Sequence, residues 1–189
     1  MNRYGQLLTL IDLFKPETIC EVGVHDGKNA VRMINQALRY RNRVHYTGYD
    51  LFQLGSPEID SAELNVKPRQ RMADVYDVIK SECPAANINL IMGNTRETLR
   101  PREYEYDFVF IDGGHSVETI NNDYEKLCAS KVIVLDDYYT KDANGLCPDT
   151  ELYGCNFLVD SCSRFIRPCV LPQADPVVGG GLTSLVLII

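Results

Sequence analysis

"YDFVFIDGGHS", residues 106–116, decides the reading of the fold: an apolar run with the branching and length of a buried strand stops on a carboxylate, two glycines and a histidine. "VIVLDDY", residues 132–138, repeats the pattern and stops on two carboxylates. Short continuous apolar runs bounded by turn residues are strands covered on both faces, as in a parallel sheet. Two of them ending on aspartate put acidic side chains where strands stop.

Working outward, strand-like runs occupy Thr18 to Val22, Val44 to Tyr49, Ile88 to Met92, Tyr106 to Ile111 and Lys131 to Leu135. Helix-like stretches lie between them at Lys28 to Arg41, Pro68 to Glu82, Thr95 to Leu99 and Val117 to Ala129, and a further amphipathic segment, "NRYGQLLTLIDLF", precedes them. Strands alternating with helices specify a parallel sheet with helices on both faces. Two details support the helices. Asn94 precedes Glu97 by three residues, a capping-box spacing, and "PRQRMADVYDVIK" puts Met72, Val75, Tyr76 and Ile79 on one face.

Beyond Leu135 the rhythm changes. Asp136 to Pro148 reads as a polar loop, "DTELYGCNFLVDSCS" as a helix, and Phe165 to Leu171 and Leu182 to Ile189 as closing strands joined by the loop "PQADPVVGGG". The expected fold is α/β: a Rossmann-like, doubly wound, mostly parallel seven-stranded sheet with helices on both faces and a C-terminal antiparallel hairpin. Its 189 residues suit one domain, 1–189, and fall short of two of ordinary size.

Composition narrows the class of function. No apolar stretch reaches the roughly 18 to 20 residues of a membrane span, and the first residues lack a signal-peptide cleavage site. The net charge of -7 disfavours a nonspecific nucleic-acid or anionic-membrane surface, since phosphates are held mainly by Lys and Arg. Seven cysteines, an odd number without a CxxC pair or zinc-like spacing, suit reduced thiols packed in a cytoplasmic protein.

In an open parallel sheet, ligands bind beyond the carboxyl ends of the strands where the winding direction reverses. The first strand is expected there, and its loop is Glu21-Val22-Gly23-Val24-His25-Asp26-Gly27. Gly23 permits a tight turn, and Gly27 lets the chain pass close to a ligand. The dinucleotide spacing GxGxxG is absent, and Glu21, Asp26, Asp50 and Asp112 would repel a pyrophosphate, which weighs against a nicotinamide dehydrogenase. Asp50 ends the second strand, where a carboxylate accepts both ribose hydroxyls. A cationic nucleoside without phosphate is S-adenosylmethionine (SAM).

"EVGVHDG", Asp50, "LIMGN", "YDFVFIDGGHS" and "VIVLDDY", in this order, resemble class I SAM-dependent methyltransferases over about residues 17 to 140 plus the closing hairpin. The pair "IDGGHS" and "LDDY" is similar to that of macrocin-type sugar O-methyltransferases and, more distantly, catechol O-methyltransferase. The resemblance implies Glu21 near the methionine amine, Gly23 and Gly27 along the methionine moiety, Asp50 on the ribose and Asn94 near adenine. Asp112 is expected beside the cofactor as well as in the chemical site. Read without the resemblance, the glycines simply turn the chain, and Asp50 and Asn94 cap helices.

The strands ending in Asp112 and in Asp136-Asp137 would lie side by side, about 4.8 Å apart. Their carboxylates then converge on one ion, and oxygen-only ligands suit Mg²⁺. His115, with an ordinary pKa near 6.5, has the reach and basicity of a general base for an acceptor hydroxyl. The alternatives stay open: Asp112 as a helix cap, Asp136-Asp137 as the start of a solvated loop, His115 as a polar turn residue. The expected function is Mg²⁺-assisted O-methylation of a small hydroxylated acceptor, a sugar or vicinal diol, with no nucleic-acid or membrane partner and room for a homodimer. The rival is a non-catalytic nucleotide-binding or assembly module that keeps the fold.

Overall fold

The computed structural model describes residues 2–100, 105–161 and 167–189. Seven helices and seven strands are described: α1 (Arg3–Phe14), β1 (Thr18–Val22), α2 (Lys28–Leu38), β2 (His45–Asp50), α3 (Pro57–Ala62), α4 (Met72–Glu82), β3 (Asn87–Met92), α5 (Thr95–Thr98), β4 (Phe108–Ile111), α6 (Val117–Leu127), β5 (Ile133–Thr140), α7 (Asn156–Ser161), β6 (Cys169–Pro176) and β7 (Leu182–Ile188). A short 3-10 turn, Phe52–Leu54, precedes α3. Among the described residues no helix is long and apolar enough to cross a membrane.

The strands form one sheet in the order β3-β2-β1-β4-β5-β7-β6. The first five run parallel, and β7 is antiparallel to both β5 and β6. This is the expected Rossmann-like arrangement with its closing hairpin. The order reverses between β1 and β4, which opens a crevice at their carboxyl ends.

Alternation along the central strands fills a core on each side. Ile19 of β1, Phe108 and Phe110 of β4 and Val134 of β5 pack with α1, α2 and α4. Cys20, Val22, Val109, Ile111, Ile133 and Leu135 pack toward α6 on the other face. The helices match this with apolar stripes: α2 buries Ala30, Met33, Ile34 and Ala37, and α6 buries Ile120, Tyr124 and Leu127.

Several boundaries differ from the sequence reading, among them the helix expected over 149–163, which is described as α7 from Asn156 to Ser161. The helix expected from Lys28 to Arg41 ends at Leu38, and the one expected from Pro68 begins at Met72, leaving Pro68, Arg69 and Gln70 on the cleft. The segment 51–67, read only as a loop, contains the 3-10 turn and α3, started by Ser56 with Pro57 at its first position. The strand expected to end at Leu135 continues through Asp136 and Asp137 to Thr140, because pairing with β7 carries it past a register shift. The strand expected over 165–171 is described from Cys169 to Pro176, so its expected start at Phe165 lies outside the described residues. Pro172 and Pro176 fit there because β6 is the sheet edge, where a missing N–H costs no ladder bond.

A clip at the bottom of the sheet fixes the register of β1 against β4. Asp107 Oδ2 accepts the backbone N–H groups of Glu17 at 2.9 Å and Thr18 at 3.0 Å, while Asp107 N donates to Thr18 Oγ1 at 2.8 Å. Lys131 Nζ lies 2.5 Å from Asp107 Oδ1. Partial burial pushes the Asp107 carboxyl up, but Lys131 and the two N–H groups outweigh it and hold the pKa at about 2. A depressed folded-state pKa contributes stability that is present above the unfolded value near 3.9 and lost as pH falls through about 2. In thermal unfolding, Asp107→Ala should cost roughly 1 to 2 kcal/mol at neutral pH, and its gap from wild type should close between pH about 4 and 2.

Candidate functional site

The cleft is built where β1, β2 and β4 end. Gly23 N donates to Tyr49 O at 2.8 Å and Asp112 N to Val22 O at 2.8 Å, so these strand ends are tied to one another. Gly23 has φ +91, and a Cβ there would lie 2.0 Å from Asp112 O. Only glycine fits that contact and that backbone conformation. Asp50 points into the same cleft: its Oδ2 accepts His25 N at 2.8 Å and its Oδ1 accepts Phe52 N at 2.6 Å. Each carboxylate oxygen has a second lone pair open to a ligand. Asn94 also lines the cleft and caps α5, accepting Arg96 N at 3.0 Å.

Two expected cofactor residues stand behind the cleft wall. Glu21 is fully buried; its Oε2 accepts the Tyr46 hydroxyl and its Oε1 has no partner among the described residues. Burial raises its pKa well above the usual carboxylate range against the opposing Tyr46 bond, and Asp112, Asp50 and Asp26 raise it further. Gly27, with φ +78, precedes α2, and a Cβ on it would meet Ile79 Cγ1 at 3.0 Å and Val75 Cγ1 at 3.2 Å. Its small size serves the packing of α4 against the loop.

At the other end lies an acidic cluster. Adjacent strand residues ordinarily point to opposite faces, which would separate Asp136 from Asp137. The register shift between Leu135 and Tyr138, with Asp137 at φ +63, breaks that alternation. The donor atoms of Asp112, His115 and Asp137 then lie within 4.8 Å of one another. His115 Nε2 is 3.4 Å from Asp137 Oδ2, and its Nδ1 is 2.5 Å from the main-chain oxygen of Glu63. The loop before α7 braces both partners, with Gly154 N on His115 O at 2.8 Å and Cys155 N on Asp137 O at 3.0 Å.

Asp136 sits beside Asp112 and meets the start of α1. Arg3 Nη2 lies 3.2 Å from its Oδ2, and the Tyr4 hydroxyl bridges Asp112 Oδ2 at 3.1 Å and Asp136 Oδ2 at 3.3 Å. The start of α1 is held there by Gln6, which exchanges two hydrogen bonds with the backbone of Gln173, and by Arg3 Nε 3.7 Å from Asp175 Oδ2. The structure thus brings Asp112, Asp136 and Asp137 together, and it adds His115, whose donor atom lies within 4.8 Å of those of Asp112 and Asp137.

Burial, then repulsion from its neighbour, raises the carboxyl pKa of Asp136, to about 7, with Asp112 as that neighbour and Arg3 opposing. Burial and Asp136 raise Asp137, and burial raises Asp112 against Lys67. Burial alone would lower the His115 imidazole, yet Asp137, the Glu63 carbonyl and Asp112 together raise it. Asp123 of α6, also on the cleft, is pushed up by burial to about 6. Arg3, Tyr4, Glu63 and Asp123 carry no local sequence signal for this site, because their partners lie far away in the chain.

A sheet of this order, with its crevice between β1 and β4 and acidic residues at both strand ends, defines a Rossmann-like methyltransferase fold. The chain belongs to the methyltransferase-domain family, whose model matches residues 20–138. Among solved structures, the O-methyltransferase TomG from Streptomyces achromogenes, involved in tomaymycin synthesis and in complex with SAM, matches 99% of this chain and 79% of its own, with TM-score 0.59 and 13% identity. The O-methyltransferase from Bacillus cereus in complex with SAH matches over 98% and 80%, with TM-score 0.60 and 12% identity. The SAH-bound Podospora anserina methyltransferase PaMTH1 matches over 98% and 76%, with TM-score 0.57 and 17% identity. No curated protein matches the sequence significantly.

Removing the Arg3 guanidinium leaves Asp136 buried beside two other carboxylates. Because the folded-state pKa of Asp136 is raised, its ionisation costs stability as pH rises from about 4 toward 7, and Arg3 offsets that cost. Arg3→Ala should therefore lower unfolding free energy by about 3 kcal/mol or more at pH above 7. In urea denaturation the deficit should shrink as pH falls toward about 4.

Proposed function

We infer that the protein is a SAM-dependent O-methyltransferase, assisted by a divalent cation, that acts on a small hydroxylated acceptor such as a sugar or vicinal diol. One observation carries the reading: a single cleft joins Asp50, a ribose-binding carboxylate by position, to Asp112 and His115 beside Asp137. The matches to SAM- and SAH-bound methyltransferase structures support the cofactor. So does the charge of the cleft, whose lining sets Asp50, Asp60, Glu63, Asp112 and Asp123 against Lys67 and Arg69 and so favours a ligand with an amine and a sulfonium over one with phosphates. The odd, unpatterned cysteine set favours a cytoplasmic setting.

The donor set also fits a cation. Asp112, Asp136 and Asp137 are three buried or half-buried carboxylates facing one guanidinium, an excess of negative charge that a divalent ion would neutralise. Asp112 and Asp137 are the carboxylates that would hold it, with Asp136, beside Asp112 and paired to Arg3, next to them. Such an ion supplies Lewis-acid activation, lowering the pKa of the acceptor hydroxyl. With oxygen ligands alone, Mg²⁺ is the suited ion.

Methyl transfer forms an oxygen–carbon bond as the carbon–sulfur bond breaks, with its electron pair left on sulfur. One acceptor proton remains to be removed. Nε2 of His115 is the acceptor atom, because Nδ1 is engaged with the Glu63 carbonyl, which can only accept. Asp137 stabilises the imidazolium that results. A base of this kind contributes about 10² to 10⁴ in rate.

Calorimetry with S-adenosylhomocysteine, alone and with Mg²⁺ or Mn²⁺, tests the reading. Wild type should bind, and Asp50→Ala should weaken binding by about tenfold or more, the loss of hydrogen bonds to a charged group. Absence of binding by a folded wild type would sink the function. Binding indifferent to both metals and to Asp137→Ala would remove the cation and leave the methyltransferase.

A further inference from the structure

The segment 55–71, between the 3-10 turn and α4, covers the cleft, with Ile59, Asp60, Glu63 and Asn65 on its inner side. Its helix α3 has no buried residue, and Leu64 and Val66 are exposed. It holds its own shape by polar contacts: Asn65 N and Nδ2 reach Asp60 O and Oδ1 at 2.8 and 3.0 Å, and Arg69 pairs with Asp60. A segment with so little apolar burial is stabilised only locally and opens at small cost.

Among the described residues, Glu63 carries the hydrogen bonds from this segment to the start of α6. Its Oε2 accepts Ser116 N at 2.7 Å, and its Oε1 accepts Ser116 Oγ at 2.9 Å and Thr119 Oγ1 at 2.6 Å. An anion at a helix N-terminus is held by both the free N–H groups and the helix dipole. A Cβ on Gly114 would fall 2.7 Å from Glu63 Oε2, so the glycine makes room for the latch. The same residue's main-chain oxygen takes the Nδ1 proton of His115.

We propose that Glu63 is a positioning residue whose carboxylate latches the cover onto α6 and whose carbonyl thereby sets the His115 tautomer, so that Nε2 is competent to take a proton only when the cleft is closed. This rests on His115 acting as the base. A neutral imidazole released from the carbonyl shares its proton between both nitrogens and spends part of its time with Nε2 already protonated. Closing the cover thus excludes water and arms the base in one movement, linking proton removal to an occupied cleft.

The test is nitrogen-detected NMR of the imidazole rings at a pH where they are neutral, which three histidines make tractable, with amide hydrogen exchange on the same samples. Wild type should show His115 almost wholly as the Nδ1–H tautomer. Glu63→Ala should mix the two tautomers and speed exchange across 56–65 by about tenfold or more, the loss of charge-assisted bonds. Glu63→Gln, which keeps an acceptor oxygen in place, should stay near wild type in both. An unchanged tautomer in Glu63→Ala, with or without faster exchange, overturns the proposal. Calorimetry with S-adenosylhomocysteine on the wild type separates this from the cofactor assignment, whose failure would leave the tautomer result standing.

Discussion

The backbone leaving β1 rests on the backbone leaving β4 at a distance that admits no side chain, and the site depends on that contact. With Gly23 against the Asp112 carbonyl, and with hydrogen bonds running from Gly23 to Tyr49 and from Asp112 to Val22, three strand ends are held as a single rim. The crevice that any doubly wound sheet leaves at its reversal point becomes a cleft with a rigid floor. Asp50 and Asp112, separated by sixty-two residues of sequence, face the same space because of it.

The rim carries more buried negative charge than a fold would tolerate without compensation. Three carboxylates gather at the end of β4 and at the register shift within β5, and the α1 helix answers with one guanidinium and one phenol hydroxyl. Burial first, and the repulsion of neighbouring carboxylates after it, raises the pKa of all three. Strain of this kind is kept where it serves chemistry. Under the proposed function it would serve as an affinity for positive charge, for a cation at the cluster and for a sulfonium in the adjoining cleft.

The sheet was legible because its information is local. Runs such as Tyr106 to Ile111 state their length and burial within a few residues, and the order of strands and helices follows from their alternation. The aspartates at strand ends were legible for the same reason. What escaped was long-range or broke the local pattern. Arg3 meets Asp136 across 133 positions, and Glu63 meets Ser116 across 53, with nothing at either end to announce the partner. The extension of β5 was hidden because Asp-Asp-Tyr-Tyr-Thr violates strand alternation, and only the pairing with β7 sustains it. Glu21 and Gly27 were expected along the cofactor; in the structure one lies beneath the cleft on Tyr46 and the other makes room for α4.

The left-handed backbone at Asp137 has a consequence for how this sequence can drift. Most side chains resist that conformation, while Asp and Asn enter it readily. Glycine would satisfy the backbone and lose the oxygen beside His115, and glutamate would keep a carboxylate but strain the turn. Position 137 is therefore a narrow corridor for mutation, open to Asp and to Asn, whereas Asp136, in ordinary extended chain one residue earlier, is constrained by its partners alone.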